Sequence, residues 1–73
     1  MIPFKEHLRT IRKNKGYTQR QVANGCGVTE RNYQYYESGE REPSMSTLIA
    51  LADYFDVSLD YLCGRTDNPN INK

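Results

Sequence analysis

Apolar residues recur at helical spacing along most of the chain. Phe4, Leu8 and Ile11 stand at i, i+4 and i+7, with Lys5, Arg9, Arg12 and Lys13 on the remaining faces. Pro3 suits a first helical turn and Gly16 a C-terminal stop. Thr18-Gln19-Arg20-Gln21 has the form of a capping box, in which the Thr18 hydroxyl accepts from the N–H of residue 21 and Gln21 reaches back. Val22, Ala23 and Cys26 give a short second helix its apolar face, and Gly25 and Gly27 are expected to loosen its end. Thr29 caps a third helix over about 30–37, closed by Ser38-Gly39. Ser44 caps a fourth, where Leu48, Leu51, Ala52 and Phe55 form a core stripe at i, i+3, i+4, i+7. Ser58 caps a last short helix carrying Leu59 and Leu62, which Gly64 stops. No segment alternates at period two for long enough to make a strand. The expectation is an all-α fold of five short helices in one domain over residues 1–66. From residue 65 onward the sequence is polar and rich in Asn, so 67–73 is expected to form a loose tail.

The third helix carries the candidate chemistry. Tyr33 and Tyr36 lie three apart and turn inward together, leaving Glu30, Arg31, Gln34 and Tyr35 on the outer side. Those groups match base edges: Arg pairs with guanine O6 and N7, Gln with adenine N6 and N7, and Glu accepts from cytosine N4. An ordinary solvated polar face is the plain alternative for this set taken alone.

Composition narrows the function classes. A chain of 73 residues holds one small domain and no deep substrate cleft. No nucleophile–base pairing, metal spacing or phosphate loop is visible, so no enzyme and no cofactor is expected. Cys26 and Cys63 form no CxxC pair and fit two buried thiols, with a disulfide between them as the alternative. The longest apolar run, from Leu48 to Ala52, is far short of the ~20 residues that span a bilayer. With no apolar stretch behind the N-terminus either, a cytoplasmic protein with reduced thiols is expected. The formal net charge of +1 argues mildly against nucleic acid, but its distribution does not. Residues 1–20 hold six Lys/Arg and one Glu, whereas 21–60 hold two Arg and seven acids. Positive charge therefore gathers around the first helix and the start of the second.

A capped helix, a turn containing Gly25-Cys26-Gly27-Val28 and a second capped helix make a helix-turn-helix. Here the chain resembles the phage repressor and Cro-like helix-turn-helix family, also called the Xre family. The resemblance is carried by Thr18-Gln19, Val22-Ala23, Gly27-Val28-Thr29, Tyr36-Glu37-Ser38-Gly39, Arg41-Glu42-Pro43-Ser44, Leu48, Leu51-Ala52 and the run Val57 to Leu62. It covers roughly residues 4–66 and implies a five-helix, lambda-repressor-like DNA-binding domain. By position, it implies base contacts from Glu30, Arg31, Asn32, Gln34 and Tyr35. It places Gln19 as a phosphate clamp at a helix N-terminus, with Thr29, Ser38 and Arg41 also approaching the backbone. Arg12 and Glu37 match a pair that forms a partly buried salt bridge between the first and third helices.

Three departures bear on function. Cys26 stands where a larger aliphatic is usual. Tyr33 replaces a β-branched aliphatic and must place a hydroxyl, and Glu40 stands where Lys is common. With Glu30, Glu37 and Glu42 nearby, the expected DNA face carries unusual negative charge. The resemblance implies a transcriptional regulator, most simply a repressor that binds a palindromic operator in double-stranded DNA through the major groove. One helix reads only a few base pairs, so a homodimer on half-sites about 34 Å apart is expected. Its candidate interface is the last helix, with Tyr61 and Leu62, and the adjoining tail, unless Leu59 and Leu62 simply close the core. The alternative function is a protein-interaction module that binds a regulatory protein partner, with Tyr35-Tyr36 as the contact patch and DNA binding secondary.

Overall fold

The computed structural model describes residues 3–70. Its helices are α1 (Phe4–Lys15), α2 (Gln19–Cys26), α3 (Glu30–Ser38), α4 (Met45–Phe55) and α5 (Leu59–Leu62). Among the described residues every regular element is helical. The four hydroxyls expected as caps all serve as caps. Thr18, Thr29, Ser44 and Ser58 accept from the backbone N–H of Gln21, Asn32, Thr47 and Tyr61. Each satisfies one of the amides a helix start leaves unpaired, worth about 1 kcal/mol apiece. At Thr18 the box is reciprocal, because the Thr18 N–H also donates to Gln21 Oε1 at 2.8 Å. Pro3 is the residue before α1, and its carbonyl accepts from the amides of Glu6 and His7.

The core draws on every helix. Leu8 and Ile11 meet Val22 and Ala23, Tyr33 and Tyr36, Leu51, Ala52 and Phe55, with Val57 and Leu62 closing one end. Each fully buried large side chain contributes about 1.5–3 kcal/mol. Phe4, Leu48 and Leu59, expected in the core, are only half-buried against it. Leu62 is 0% exposed, so it closes the core and offers nothing to a second copy of the chain. No described helix is long and apolar enough to cross a membrane.

Two expectations change. Gly25 and Gly27 do not loosen α2. Gly27 adopts φ +73°, and Val28 returns its N–H to the Ala23 carbonyl at 3.0 Å, which fixes the helix end in a left-handed cap. Gly25 is the place where the Tyr54 ring lies against the α2 backbone, leaving no room for a Cβ. That ring is itself held between Tyr17 and Phe55, at centroid distances of 5.1 and 5.8 Å. The second change concerns the segment expected to be a loose tail. Its described part turns back on the domain: the Pro69 carbonyl accepts from the Ser58 N–H at 2.9 Å, and Thr66 and Asn68 side chains cap successive turns. The remainder, 71–73, lies outside the described residues.

Gly25→Ala sets helix propensity against packing. Alanine favours a helix by ~1 kcal/mol, whereas forcing a methyl into a filled contact costs ~1–3 kcal/mol. We expect packing to win. The Tm should fall by a few degrees, and a rise would show that the Tyr54 ring moves aside freely.

Candidate nucleic-acid interface

The helix-turn-helix consists of α2, the turn at 27–29 and α3. Gly27 ends α2 and Thr29 starts α3 two residues later, so the two helices meet at a fixed angle. In α3, Tyr33, Tyr36 and Glu37 face inward. Arg31, Gln34 and Ser38 are exposed, while Glu30, Asn32 and Tyr35 are half-buried. Tyr33 and Tyr36 inward and Arg31 and Gln34 outward follow helical spacing, whereas Glu30 and Tyr35, expected on the outer side, are half-buried. The inward Glu37 was implied only by the family resemblance.

Glu37 is 3% exposed and anchors α3 to α1. Its Oε2 accepts from Arg12 Nε at 2.6 Å, and its Oε1 accepts from Arg12 Nη2 at 3.1 Å, a two-point pairing. Arg12 Nη1 donates to the Tyr17 carbonyl at 2.9 Å, tying in the loop before α2. Burial pushes the Glu37 carboxyl up, but hydrogen bonds from Arg12 and Gln19 outweigh it and hold the group below its ordinary range. The same hydrogen bond from Arg12, with the attraction of the carboxylate, outweighs desolvation and raises the guanidinium. The Tyr33 hydroxyl lies beside this pair, buried and without a hydrogen bond of good geometry among the described residues. Burial first, and then the neighbouring carboxylate, push its pKa far up, so it stays neutral.

Several of the expected contact residues are already engaged. Gln19 turns its amide inward, with Nε2 donating to Glu37 Oε1 at 3.2 Å. Thr29 Oγ1 accepts from the Asn32 N–H at 3.1 Å and keeps its own proton to donate. Ser38 Oγ gives its proton to the Tyr35 carbonyl at 3.1 Å and accepts from the Glu40 N–H, so donation outward requires it to rotate. Arg41 lies over the Tyr35 ring, 4.9 Å from its centroid, in a cation–π contact. Glu30 receives Arg20 Nε at 3.2 Å. Arg31 and Gln34 have no hydrogen-bond partner among the described residues and are the most available of the set.

The fold also assembles residues that sequence reading did not single out. Arg9 and Lys13 line a concavity with Arg12, Gln19, Gln34, Glu37 and Ser38. Arg9 Nη2 donates to the Glu37 carbonyl at 3.1 Å, a cation at the C-terminal turn of α3, where the helix dipole favours it. Lys5 runs along Gly39, just past the same helix end. Lys5, Arg9 and Lys13 stand at i, i+4 and i+8, so their stripe was visible in sequence, but its place beside α3 was not.

With this geometry the comparisons with known proteins agree. A helix-turn-helix family model matches residues 8–62. The chain belongs to the phage repressor and Cro-like helix-turn-helix family. Among its relatives, the transcriptional repressor RstR of the cryptic phage CTXphi in Vibrio cholerae is 44% identical over 64 residues, covering 88% of this chain and 57% of that protein. The HTH-type transcriptional regulator YqaE of Bacillus subtilis is 43% identical over 68 residues, covering 93% of this chain and 59% of the relative. The chain thus spans less than three fifths of the length of these two relatives. Among solved family structures, the P22 c2 repressor in complex with a synthetic operator superposes with a TM-score of 0.82 at 27% identity, covering 90% of this chain and all of that one. A transcriptional regulator from Listeria innocua gives 0.78 at 40% identity, covering 86% and 59%.

Arg12→Ala leaves Glu37 buried without its main partner, which should cost ~3–5 kcal/mol and lower the Tm by well over ten degrees. An unchanged melt would contradict the pairing. Because Glu37 titrates lower folded than unfolded, its stabilisation is complete above the ordinary carboxylate range. It is lost as pH falls through the folded pKa. Wild-type Tm should therefore drop steeply below about pH 4, and Glu37→Gln should show a shallower acid limb from a lower starting Tm.

Proposed function

We propose that this protein is a sequence-specific DNA-binding transcriptional regulator, a repressor that binds a palindromic operator as a homodimer in the cytoplasm. One observation carries the reading. A recognition helix locked from behind by Arg12 and Glu37 presents Arg31 and Gln34, without a hydrogen-bond partner among the described residues, at its outer face, beside the cation stripe of α1. In this reading Glu30, Arg31, Asn32, Gln34 and Tyr35 meet base edges in the major groove. Gln19, Thr29, Ser38 and Arg41 meet phosphates, joined by Arg9 and Lys13. The relatives' names as repressors and regulators, and the likeness to a repressor bound to its operator, support it.

The second copy is expected at α4 and α5. Ile49 is 48% exposed there and borders a concavity with Ala52, Val57 and Leu59. Tyr61, also considered for that surface, is partly committed within the chain. Its ring packs edge-on against His7 and its carbonyl pairs with His7 Nε2 at 2.7 Å. A second copy therefore meets Ile49 and Leu59 more than Tyr61 and Leu62.

Selection from randomised duplex DNA, followed by sequencing, tests the reading, and a two-fold symmetric consensus is expected. Recovery of no consensus at moderate salt would favour a protein-binding role instead. Arg31→Ala should relax preference at one base position, at a cost of ~1–3 kcal/mol. Arg41→Ala should weaken binding to all sequences and reduce the salt slope by about one. Identical behaviour of the two variants would mean that base and phosphate contacts are wrongly divided.

A further inference from the structure

Arg20, the second residue of α2, reaches across the turn to Glu30, the first residue of α3, with Nε donating to Oε1 at 3.2 Å. The Arg20 side chain is 76% exposed and that of the half-buried Glu30 39%. They line an open concavity with Arg12, Tyr17, Thr18 and Gln19. Stability does not account for this contact, because an exposed ion pair contributes little. Its location offers a better reason. Glu30 opens the helix whose outer face carries Arg31 and Gln34, and a bare carboxylate there would be repelled by DNA phosphates. The contact uses Nε and Oε1 alone. Among the described residues, Glu30 Oε2 and the terminal nitrogens of Arg20 have no hydrogen-bond partner. The pair thus offers a free carboxylate oxygen on a carboxylate whose charge is offset and whose position is set by a neighbour on another helix. Such an acceptor in the major groove matches the cytosine N4 amino group.

Building on the DNA-binding reading above, we propose that Arg20 and Glu30 act as one reading unit. Arg20 is the positioning residue that holds the Glu30 carboxylate against a cytosine at the base pair facing the start of α3. Arg20 offsets the repulsion between carboxylate and phosphates and restricts the rotamers of Glu30, so that discrimination at this position depends on both side chains.

The test is selection and sequencing from randomised duplex DNA with wild type, Arg20→Ala, Arg20→Lys and Glu30→Gln, alongside thermal melts. Wild type should select cytosine at one position. Arg20→Ala should lose preference there by about tenfold while other positions keep theirs. Arg20→Lys should restore part of it, and Glu30→Gln should shift the preference towards adenine. Melts of the Arg20 variants within a few degrees of wild type exclude unfolding as the cause. If Arg20→Ala keeps the cytosine preference and only binds all sequences more weakly, Arg20 is a backbone contact and the unit does not exist. A consensus that Glu30→Gln leaves unchanged overturns it equally. A wild type that yields no consensus overturns the DNA-reading function itself, and this unit with it.

Discussion

The two-point pairing of Arg12 with Glu37 is the interaction on which the rest of the interface depends. A nine-residue helix such as α3 is too short to hold itself in water and takes its stability from packing. Its buried tyrosines supply apolar contact, but rings packed against a core permit small rotations. Directional bonds from a planar guanidinium to a carboxylate permit far fewer. Since Glu37 lies in the last turn of α3 and Arg12 in the last turn of α1, the pair fixes the rotation of α3 about its axis. That rotation decides which side chains face outward. Gln19 joins through Glu37 Oε1 and Tyr17 through Arg12 Nη1, so the start of α2 and the loop before it share the same anchor.

Electrostatics on this side of the molecule follows from the same arrangement. The stretch from 21 to 60 is acidic overall, which sits awkwardly with the phosphate-bearing partner proposed above. Within the fold two of those acids are matched by cations from other helices, Glu37 by Arg12 and Glu30 by Arg20. Lys5, Arg9 and Lys13 then add positive charge from α1 near the end of α3. Glu40 and Glu42 stay exposed after the helix, and Asp53, Asp56 and Asp60 belong to the α4–α5 half. A total charge near zero therefore conceals a divided one, and in the proposed DNA-binding role long-range attraction should be modest. In that role discrimination rests on the short-range groups of one helix face.

Much of this was legible in the chain itself. Caps at Thr18, Thr29, Ser44 and Ser58 are local, since each hydroxyl serves an amide three residues on. Helical spacing separated Tyr33 and Tyr36 from Arg31 and Gln34 for the same reason. The Arg12–Glu37 pair was reachable only through family resemblance, because 25 residues separate its members and no spacing rule links them. Gly25 was misread because a glycine near a helix end looks like a weak point. Only the approach of Tyr54, from two helices further on, shows it to be a contact. The described part of the tail, up to residue 70, has the composition of a loose end, yet the Ser58 amide was there to hold Pro69.

The sequence by itself determined the five helices, their caps, most of the core and the outward set on the third helix, because each depends on neighbours within about four residues. The tertiary structure alone decided which polar groups on that face remain available. Among the described residues Arg31 and Gln34 have no hydrogen-bond partner, while Glu30, Gln19, Ser38 and Arg41 have partners. It also decided that α1 contributes cations to the same surface and that Leu62 is spent inside the core. Hydrogen bonds and ion pairs form between groups that packing brings within about 3 Å, and that proximity between distant parts of the chain is not written in any local pattern.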